Sequence, residues 1–101
     1  MTYFFDPSQA KRKELAPGAT ARSMWGDKVM MSFIELAPKA KVPLHTHPHE
    51  QAGVVLQGEL DFTIGTETKR VKQGDAYVIP GGVEHGVTVP EGWALVLDIF
   101  S

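Results

Sequence analysis

The sequence contains no cysteine among its 101 residues. Disulfide bonds, thiolate nucleophiles and thiolate metal ligands are therefore all excluded, and a bound metal ion would need nitrogen and oxygen ligands. The four histidines are the nitrogen ligands that remain. Their positions in the chain decide whether a metal site is plausible.

Long apolar runs and a strong net charge are also absent. No stretch approaches the ~20 apolar residues of a membrane-spanning helix. The N-terminal sequence places its apolar residues 3–5 before its basic residues 11–13, which is the reverse of the order in a secretory signal. A net charge of −2 and a pI of about 6.0 argue against nucleic-acid binding. We expect a cytoplasmic protein that binds neither membranes nor nucleic acids.

Short runs of β-forming residues, separated by glycine, proline and charged turns, follow one another from residue 19 onward. About eight or nine such runs, with turns about every 8–12 residues, are typical of an all-β sandwich or barrel. We interpret residues 1–18 as a short N-terminal arm and residues 19–101 as a single barrel domain. The main runs cover residues 28–36, 42–47, 51–57, 59–64, 66–72, 76–79, 84–89 and 93–100.

The N-terminal arm contains the one segment that favours a helix, Ser8 to Leu15. Ser8 is a suitable N-cap, and Pro17 with Gly18 would end the helix. The aromatic residues 3–5 precede any packed element. They are expected either to cover one mouth of the barrel or to pack against a second subunit.

Three of the four histidines lie in the segment HTHPHEQ, residues 45–51. His45 and His47 share one face of an extended chain, so their ring nitrogens could bind the same ion. Pro48 favours a turn that brings Gln51 back beside the pair. His85 lies in a separate strand and is expected to complete the site from across the barrel.

A histidine on a polar strand is usually just solvent-exposed, and two at this spacing are a weak signal alone. Two longer motifs strengthen the signal, and they resemble those of the cupin family. The first cupin motif, G-x5-H-x-H-x3–4-E-x6-G, is matched by His45, His47, Gln51 and Gly58. The second, G-x5-P-x-G-x2-H-x3-N, is matched by Gly74, Pro80, Gly82 and His85. The departures are Lys39 for the first glycine, Gln51 for the glutamate and Val89 for the asparagine.

The resemblance covers roughly residues 28–100 and implies the cupin double-stranded β-helix, a jelly-roll barrel. It also implies one divalent transition metal, which could be Mn, Fe, Ni, Co or Zn, with the ligands His45, His47, Gln51 and His85. Because Gln51 is neutral, the ion would keep its full charge, bind somewhat less tightly and attract a small anionic substrate. His49 is expected to be exposed or to support the ligands, and Glu50 is one residue short of the motif spacing.

Asp98 is a lone carboxylate in the apolar last run, residues 93–100. It shares one strand face with Ala94, Val96 and Phe100. A buried carboxylate is costly unless it is paired. Asp98 is therefore either a hydrogen-bonded structural residue or an acid/base group that faces the metal cavity, and the nearby metal site favours the second. Phe100 either lines the substrate pocket or belongs to the core.

Residues 43–58, 74–86 and 97–101 are similar to cupins of uronate catabolism. That resemblance implies an enzyme that converts 4,5-unsaturated monouronates from pectin or alginate to linear ketonised forms. Asp98 would be the catalytic acid/base and Phe100 a substrate-binding residue. In those relatives an arginine beyond the last strand helps to hold the substrate, whereas this sequence ends at Ser101. The cations available in its place are Arg22, Lys39, Lys41 and Arg70.

Two other functions stay open at this point. One is an Fe- or Mn-dependent dioxygenase acting on a small organic substrate, since many small cupins use similar sites. The other is a non-catalytic cupin that binds a sugar acid. Small cupins are often dimers, so we also expect a homodimer.

Overall fold

The computed structural model describes residues 3–101 and shows the expected all-β fold. One 3₁₀ turn, Pro7–Gln9, precedes ten strands. The strands are β1 (Arg12–Ala16), β2 (Ala19–Trp25), β3 (Met30–Leu36), β4 (Lys41–His45), β5 (Gln51–Gln57), β6 (Glu59–Ile64), β7 (Glu67–Lys72), β8 (Ala76–Ile79), β9 (His85–Thr88) and β10 (Ala94–Phe100).

The strands form two antiparallel sheets around one core. The six-stranded sheet has the order β1-β2-β3-β10-β5-β8, and the four-stranded sheet has the order β4-β9-β6-β7. Each sheet contributes one face of apolar side chains, because alternate residues of a strand point to the same side. The largest fully buried side chains come from both sheets and their connections: Leu36, Val55, Leu60, Ile79 and Val89.

The last strand, β10, lies inside the six-stranded sheet between β3 and β5. Its burial alternates as expected: Ala94, Val96 and Asp98 are buried, whereas Ile99 is exposed. Because β10 is a central strand, its inward face points at the space between the sheets. Asp98 therefore lies inside the barrel.

The predicted helix from Ser8 to Leu15 is wrong. Asp6 rather than Ser8 caps the short 3₁₀ turn, and its side chain accepts hydrogen bonds from the backbone and hydroxyl of Ser8. The chain then becomes β1, which turns back at residues 17–18 and pairs antiparallel with β2. Sheet pairing across the turn overrides the weak local preference for helix.

The aromatic side chains of residues 3–5 are exposed and are not part of the lining of the barrel cavity. Their packing against a second subunit stays a prediction. Over residues 3–101, the structure has no helix of the length and apolarity that a bilayer crossing requires.

The turn before β4 shows why the cupin motif has a glycine at the position that Lys39 occupies in this chain. Lys39 has a φ of 66°, and it is the one non-glycine residue with positive φ in the described chain. This left-handed conformation suits glycine and is strained for residues with a Cβ. The Lys39 N–H donates to the Val89 carbonyl at 3.0 Å, which holds the turn in place.

The effect of a substitution at Lys39 on the free energy of unfolding should therefore depend on backbone strain rather than on charge. We expect Lys39→Val to lower the free energy of unfolding by about 1–2 kcal/mol, since a β-branched residue is disfavoured at positive φ. Lys39→Gly should be neutral or slightly stabilising. Lys69→Val, on exposed strand β7, is the control and should change stability little. Urea denaturation measures all three, and an equal loss in both valine variants would contradict this explanation.

Candidate metal centre

Three histidine rings meet between the two sheets. His45 ends β4 and is the register partner of His85, which begins β9, so their ring centroids are 4.3 Å apart. His47 follows β4 and lies with its ring centroid 4.9 Å from that of His85. One ring nitrogen from each histidine lies within 4.8 Å of the others. The three rings could therefore bind a single metal ion.

The loop that carries His47 is fixed from two sides. The Gly82 N–H donates to the His47 carbonyl at 2.8 Å, and the Ser101 N–H donates to the Glu50 carbonyl at 3.1 Å. A Cβ on Gly81 would collide with the Pro48 carbonyl oxygen. The Pro80–Gly82 turn of the second motif thus supports a histidine of the first.

Hydrogen bonds to backbone carbonyls fix the orientation of all three rings. The Nδ1 atoms of His45, His47 and His85 lie 2.9 Å from the carbonyl oxygens of Pro43, His49 and Val83, respectively. A carbonyl only accepts, so each Nδ1 carries the proton and each Nε2 keeps a free lone pair. Metal-binding histidines are commonly held in this way.

The Nε2 atom of His85 provides a direct test of whether a cation fits here. His85 is 2% exposed, and its Nε2 is buried without a hydrogen-bond partner. Burial lowers the pKa of His85, and the neighbouring His45 and His47 lower it further, against the opposing hydrogen bond to Val83. A neutral buried nitrogen with no protein partner is what a metal ligand requires.

Gln51 reaches the histidines from the opposite sheet, as the first residue of β5. Its Oε1 lies 3.0 Å from Nε2 of His47. These two atoms are close enough to bind one ion, since metal–nitrogen and metal–oxygen bonds are about 2.0–2.2 Å long. The structure thus brings all four predicted ligands together. It corrects one detail, because His85 lies beside His45 in the same sheet, and Gln51 approaches from across the barrel.

Asp98 lies next to Gln51 and is 4% exposed. Its Oδ1 accepts a hydrogen bond from the Tyr77 hydroxyl at 2.5 Å. Burial raises the pKa of Asp98 to about 6, while hydrogen bonds from Tyr77 and Gln51 act to lower it. Burial and the adjacent carboxylate raise the pKa of Tyr77 well above its ordinary value. Asp98 is therefore both hydrogen-bonded and turned towards the cavity, and its acid/base role stays a prediction.

Tyr77 and Gly53 belong to this arrangement but were not predicted from the sequence. A Cβ on Gly53 would collide with the Asp98 carboxylate and with the Tyr77 ring. The available signal was a glycine inside an otherwise β-forming strand, which often marks a close approach of neighbouring groups. Tyr77 gave no signal of its own.

A cavity of about 520 Å³ opens in front of these groups. Its polar lining consists of His45, His47, Gln51, Tyr77, His85 and Asp98. Phe100 also lines it, with its ring centroid 5.8 Å from that of His47. The remaining wall is apolar: Leu15, Ile34, Leu36, Val42, Pro43, Leu44, Leu60, Phe62, Gly86, Val87 and Val96.

None of the four candidate cations lines this cavity. Arg70 pairs with Asp61 and Glu59 on the exposed side of the four-stranded sheet. Arg22 donates to the backbone carbonyls of residues 7 and 8. His49 and Glu50 have exposed side chains, and neither belongs to the histidine group.

Comparison with known proteins agrees with the fold and with the motifs. The Cupin_2 family model, described as a cupin domain, matches residues 32–100. The pectin degradation protein KdgF of Dickeya dadantii (strain 3937) is 32% identical over 101 residues, covering 98% of this chain and 91% of that protein.

Two solved structures superpose closely on this chain. The structure of KdgF from Halomonas sp. has a TM-score of 0.89 and 28% identity, with coverage of 100% of this chain and 94% of that one. An RmlC-like cupin from Shewanella frigidimarina NCIMB 400 has a TM-score of 0.91 and 24% identity, with coverage of 100% and 91%. The predicted cupin barrel is therefore confirmed.

Binding of a divalent metal should stabilise the folded protein. A free metal concentration of about 100 times Kd should add about 2.7 kcal/mol, seen as a higher melting temperature that chelation reverses. We expect His85→Ala and His47→Ala to lose most of this metal-dependent increase. His49→Ala is the matched control and should keep it. An increase that survives in both ligand variants would contradict the site.

Asp98 should make the stability of the metal-free protein depend on pH. Its pKa is raised from 3.8 to about 6 on folding, so the folded state binds this proton more tightly. This stabilisation is present below about pH 4 and is lost as the pH rises through about 6. Relative to Asp98→Asn, wild type should lose about 1–3 kcal/mol between pH 4 and 7. Urea denaturation in chelator measures the difference, and a difference independent of pH would contradict the shift.

Proposed function

Because the chain belongs to the cupin family, we propose that it is a metal-dependent enzyme acting on 4,5-unsaturated monouronates. The products would be the linear ketonised forms of sugars released from pectin or alginate. The likeness to KdgF over nearly the whole chain supports this substrate class. The observation that carries the proposal is that the predicted ligands and the predicted acid/base residue line one cavity: His45, His47, Gln51, His85 and Asp98.

The ligand set favours an anionic substrate. Three histidines and a glutamine are neutral, so they leave the charge of a divalent ion uncompensated. When bound, such an ion would supply a Lewis acid that attracts a carboxylate and an adjacent oxygen. The metal could be Mn, Fe, Ni, Co or Zn, which the ligands do not distinguish. Among residues 3–101, no lysine or arginine lines the cavity, so no cationic side chain there competes with the ion for the substrate carboxylate.

The proposed reaction is an isomerisation and needs no redox partner. Ring opening breaks the C–O bond of the hemiacetal and moves a proton from the hydroxyl to the ring oxygen. Ketonisation then moves a proton from the enol oxygen to carbon. Each step needs a group that takes up and returns a proton, and Asp98 is the one carboxylate that lines the cavity in the described chain. A pKa of about 6 suits this role near neutral pH.

Phe100 would act as a wall of the substrate site. Its ring lies edge-on to His47 on the same strand face as Asp98. A substrate bound at the histidines would therefore contact an aromatic surface beside the acid/base group. We also propose that the protein is a homodimer in the cytoplasm. This part of the proposal rests on the sequence and on the family.

The apolar wall of the cavity favours a second candidate function. Apart from the six polar groups, its lining offers no hydrogen-bonding side chain to a sugar hydroxyl. A buried hydroxyl left without a partner costs about 1–3 kcal/mol. A small organic substrate with an apolar body would avoid this cost. The second candidate is therefore an Fe- or Mn-dependent dioxygenase that acts on such a substrate. A cupin that binds a sugar acid without converting it is the remaining alternative.

One assay separates these functions. Metal-loaded protein is mixed with unsaturated galacturonate under argon, and the loss of conjugated ultraviolet absorbance is followed. We expect acceleration over the spontaneous reaction, and Asp98→Asn should lower kcat by about 10²–10⁴-fold. Asp27→Asn, at an exposed turn, is the control and should keep wild-type activity.

An absence of acceleration would contradict the uronate proposal. Turnover of another substrate that requires O₂ would then support the dioxygenase. Binding of the uronate without turnover would support the non-catalytic alternative. Full activity of Asp98→Asn would remove Asp98 from the mechanism.

A further inference from the structure

Tyr77, Gly53 and Asp98 lie side by side on three neighbouring strands. Gly53 of β5 is the register partner of both Asp98 on β10 and Tyr77 on β8. Cross-strand partners point to the same face of a sheet. Since the middle residue has no side chain, the Tyr77 hydroxyl reaches across β5 to the Asp98 carboxylate.

Gln51 stands two residues before Gly53 and points to the same face. Its amide has two possible orientations, which place either the oxygen or the nitrogen towards His47. In the structure, the oxygen faces Nε2 of His47 at 3.0 Å. In the neutral imidazole that a metal ligand requires, the Nδ1 of His47 donates to the His49 carbonyl, so its Nε2 has no proton to offer Gln51. Two lone pairs therefore face each other.

This orientation is unfavourable for an isolated pair of groups. A rotated amide would donate an N–H to His47 and form an ordinary hydrogen bond. Asp98 opposes that rotation, because the amide nitrogen of Gln51, turned away from His47, acts on the carboxylate as a donor group and lowers its pKa. After rotation the amide oxygen would face the carboxylate, and neither group could donate.

We infer that Tyr77 is a positioning residue for the fourth metal ligand. Its O–H holds Asp98 so that the carboxylate accepts the Gln51 N–H and turns Oε1 towards the three Nε2 atoms. The inference rests on the proposed metal site but not on the uronate reaction. It gives Asp98 a second task, which is orientation of a ligand in addition to proton transfer.

The test is a Co²⁺ titration of the metal-free protein, followed by visible absorption. Tyr77→Phe keeps the ring and removes only the hydroxyl. We expect it to weaken Co²⁺ binding by about 10-fold, within the usual effect of groups that orient metal ligands. Its Co²⁺ spectrum should shift towards that of Gln51→Ala, because in both variants the amide oxygen is lost or misdirected.

Val71→Ala provides a control for packing. Val71 is buried in the same apolar cluster as Tyr77 but does not line the cavity, so this variant disturbs the packing around Tyr77 without removing the hydroxyl. It should keep the wild-type spectrum and an affinity within about 3-fold. Circular dichroism confirms that each variant is folded. An equal loss of affinity in Val71→Ala and Tyr77→Phe would overturn the inference.

The double variant Tyr77→Phe/Gln51→Ala tests whether Tyr77 acts through Gln51. If it does, adding Tyr77→Phe to Gln51→Ala should cause no further loss of Co²⁺ affinity. A further 10-fold loss, or wild-type affinity in Tyr77→Phe alone, would overturn the inference. Because no substrate is present, a negative result here leaves the uronate assay to be judged separately. Failure of that assay likewise leaves the coupling between Tyr77 and Gln51 intact.

Discussion

The site depends on the hydrogen bond from each histidine Nδ1 to a backbone carbonyl two residues away. These bonds set the tautomer of His45, His47 and His85 and direct their Nε2 atoms to one point. Without them the rings could rotate, and burial of His85 with an unpaired nitrogen would have no compensation. The barrel also holds the His47 loop in place, because the Gly82 N–H donates to the His47 carbonyl and the Ser101 N–H donates to the Glu50 carbonyl.

The two sheets contribute different chemistry to the cavity. The four-stranded sheet and its loop supply neutral imidazoles, whereas the six-stranded sheet supplies the Gln51 amide and the Asp98 carboxylate. Gln51 lies between the histidines and Asp98: its Oε1 is 3.0 Å from Nε2 of His47, and its amide lowers the pKa of Asp98. A neutral ligand at this point separates the metal position from the carboxylate. A glutamate would instead place two carboxylates next to each other, which would raise the pKa of one of them in the metal-free protein.

The sequence was sufficient to select the four residues that the structure brings together, because the spacing within each motif is local. His45, His47 and Gln51 lie within one strand–turn–strand segment, and His85 follows a recognisable Pro–Gly turn. Tyr77 could not be found in this way, since its contact with Asp98 depends on the register of β8, β5 and β10, which are distant in sequence. The same limit explains why the helix predicted in residues 8–15 is wrong: these residues favour a helix locally, but pairing with β2 decides the outcome.

The central claim is that three Nε2 atoms and the Gln51 oxygen hold one metal ion in front of Asp98. The most direct measurement is anomalous X-ray diffraction at the absorption edge of the bound metal. The account predicts one strong peak in contact with His45, His47, His85 and Gln51, at a place where the Gln51 nitrogen still faces Asp98. A peak bound through Nδ1 atoms, or one that lies away from these four residues, would contradict it.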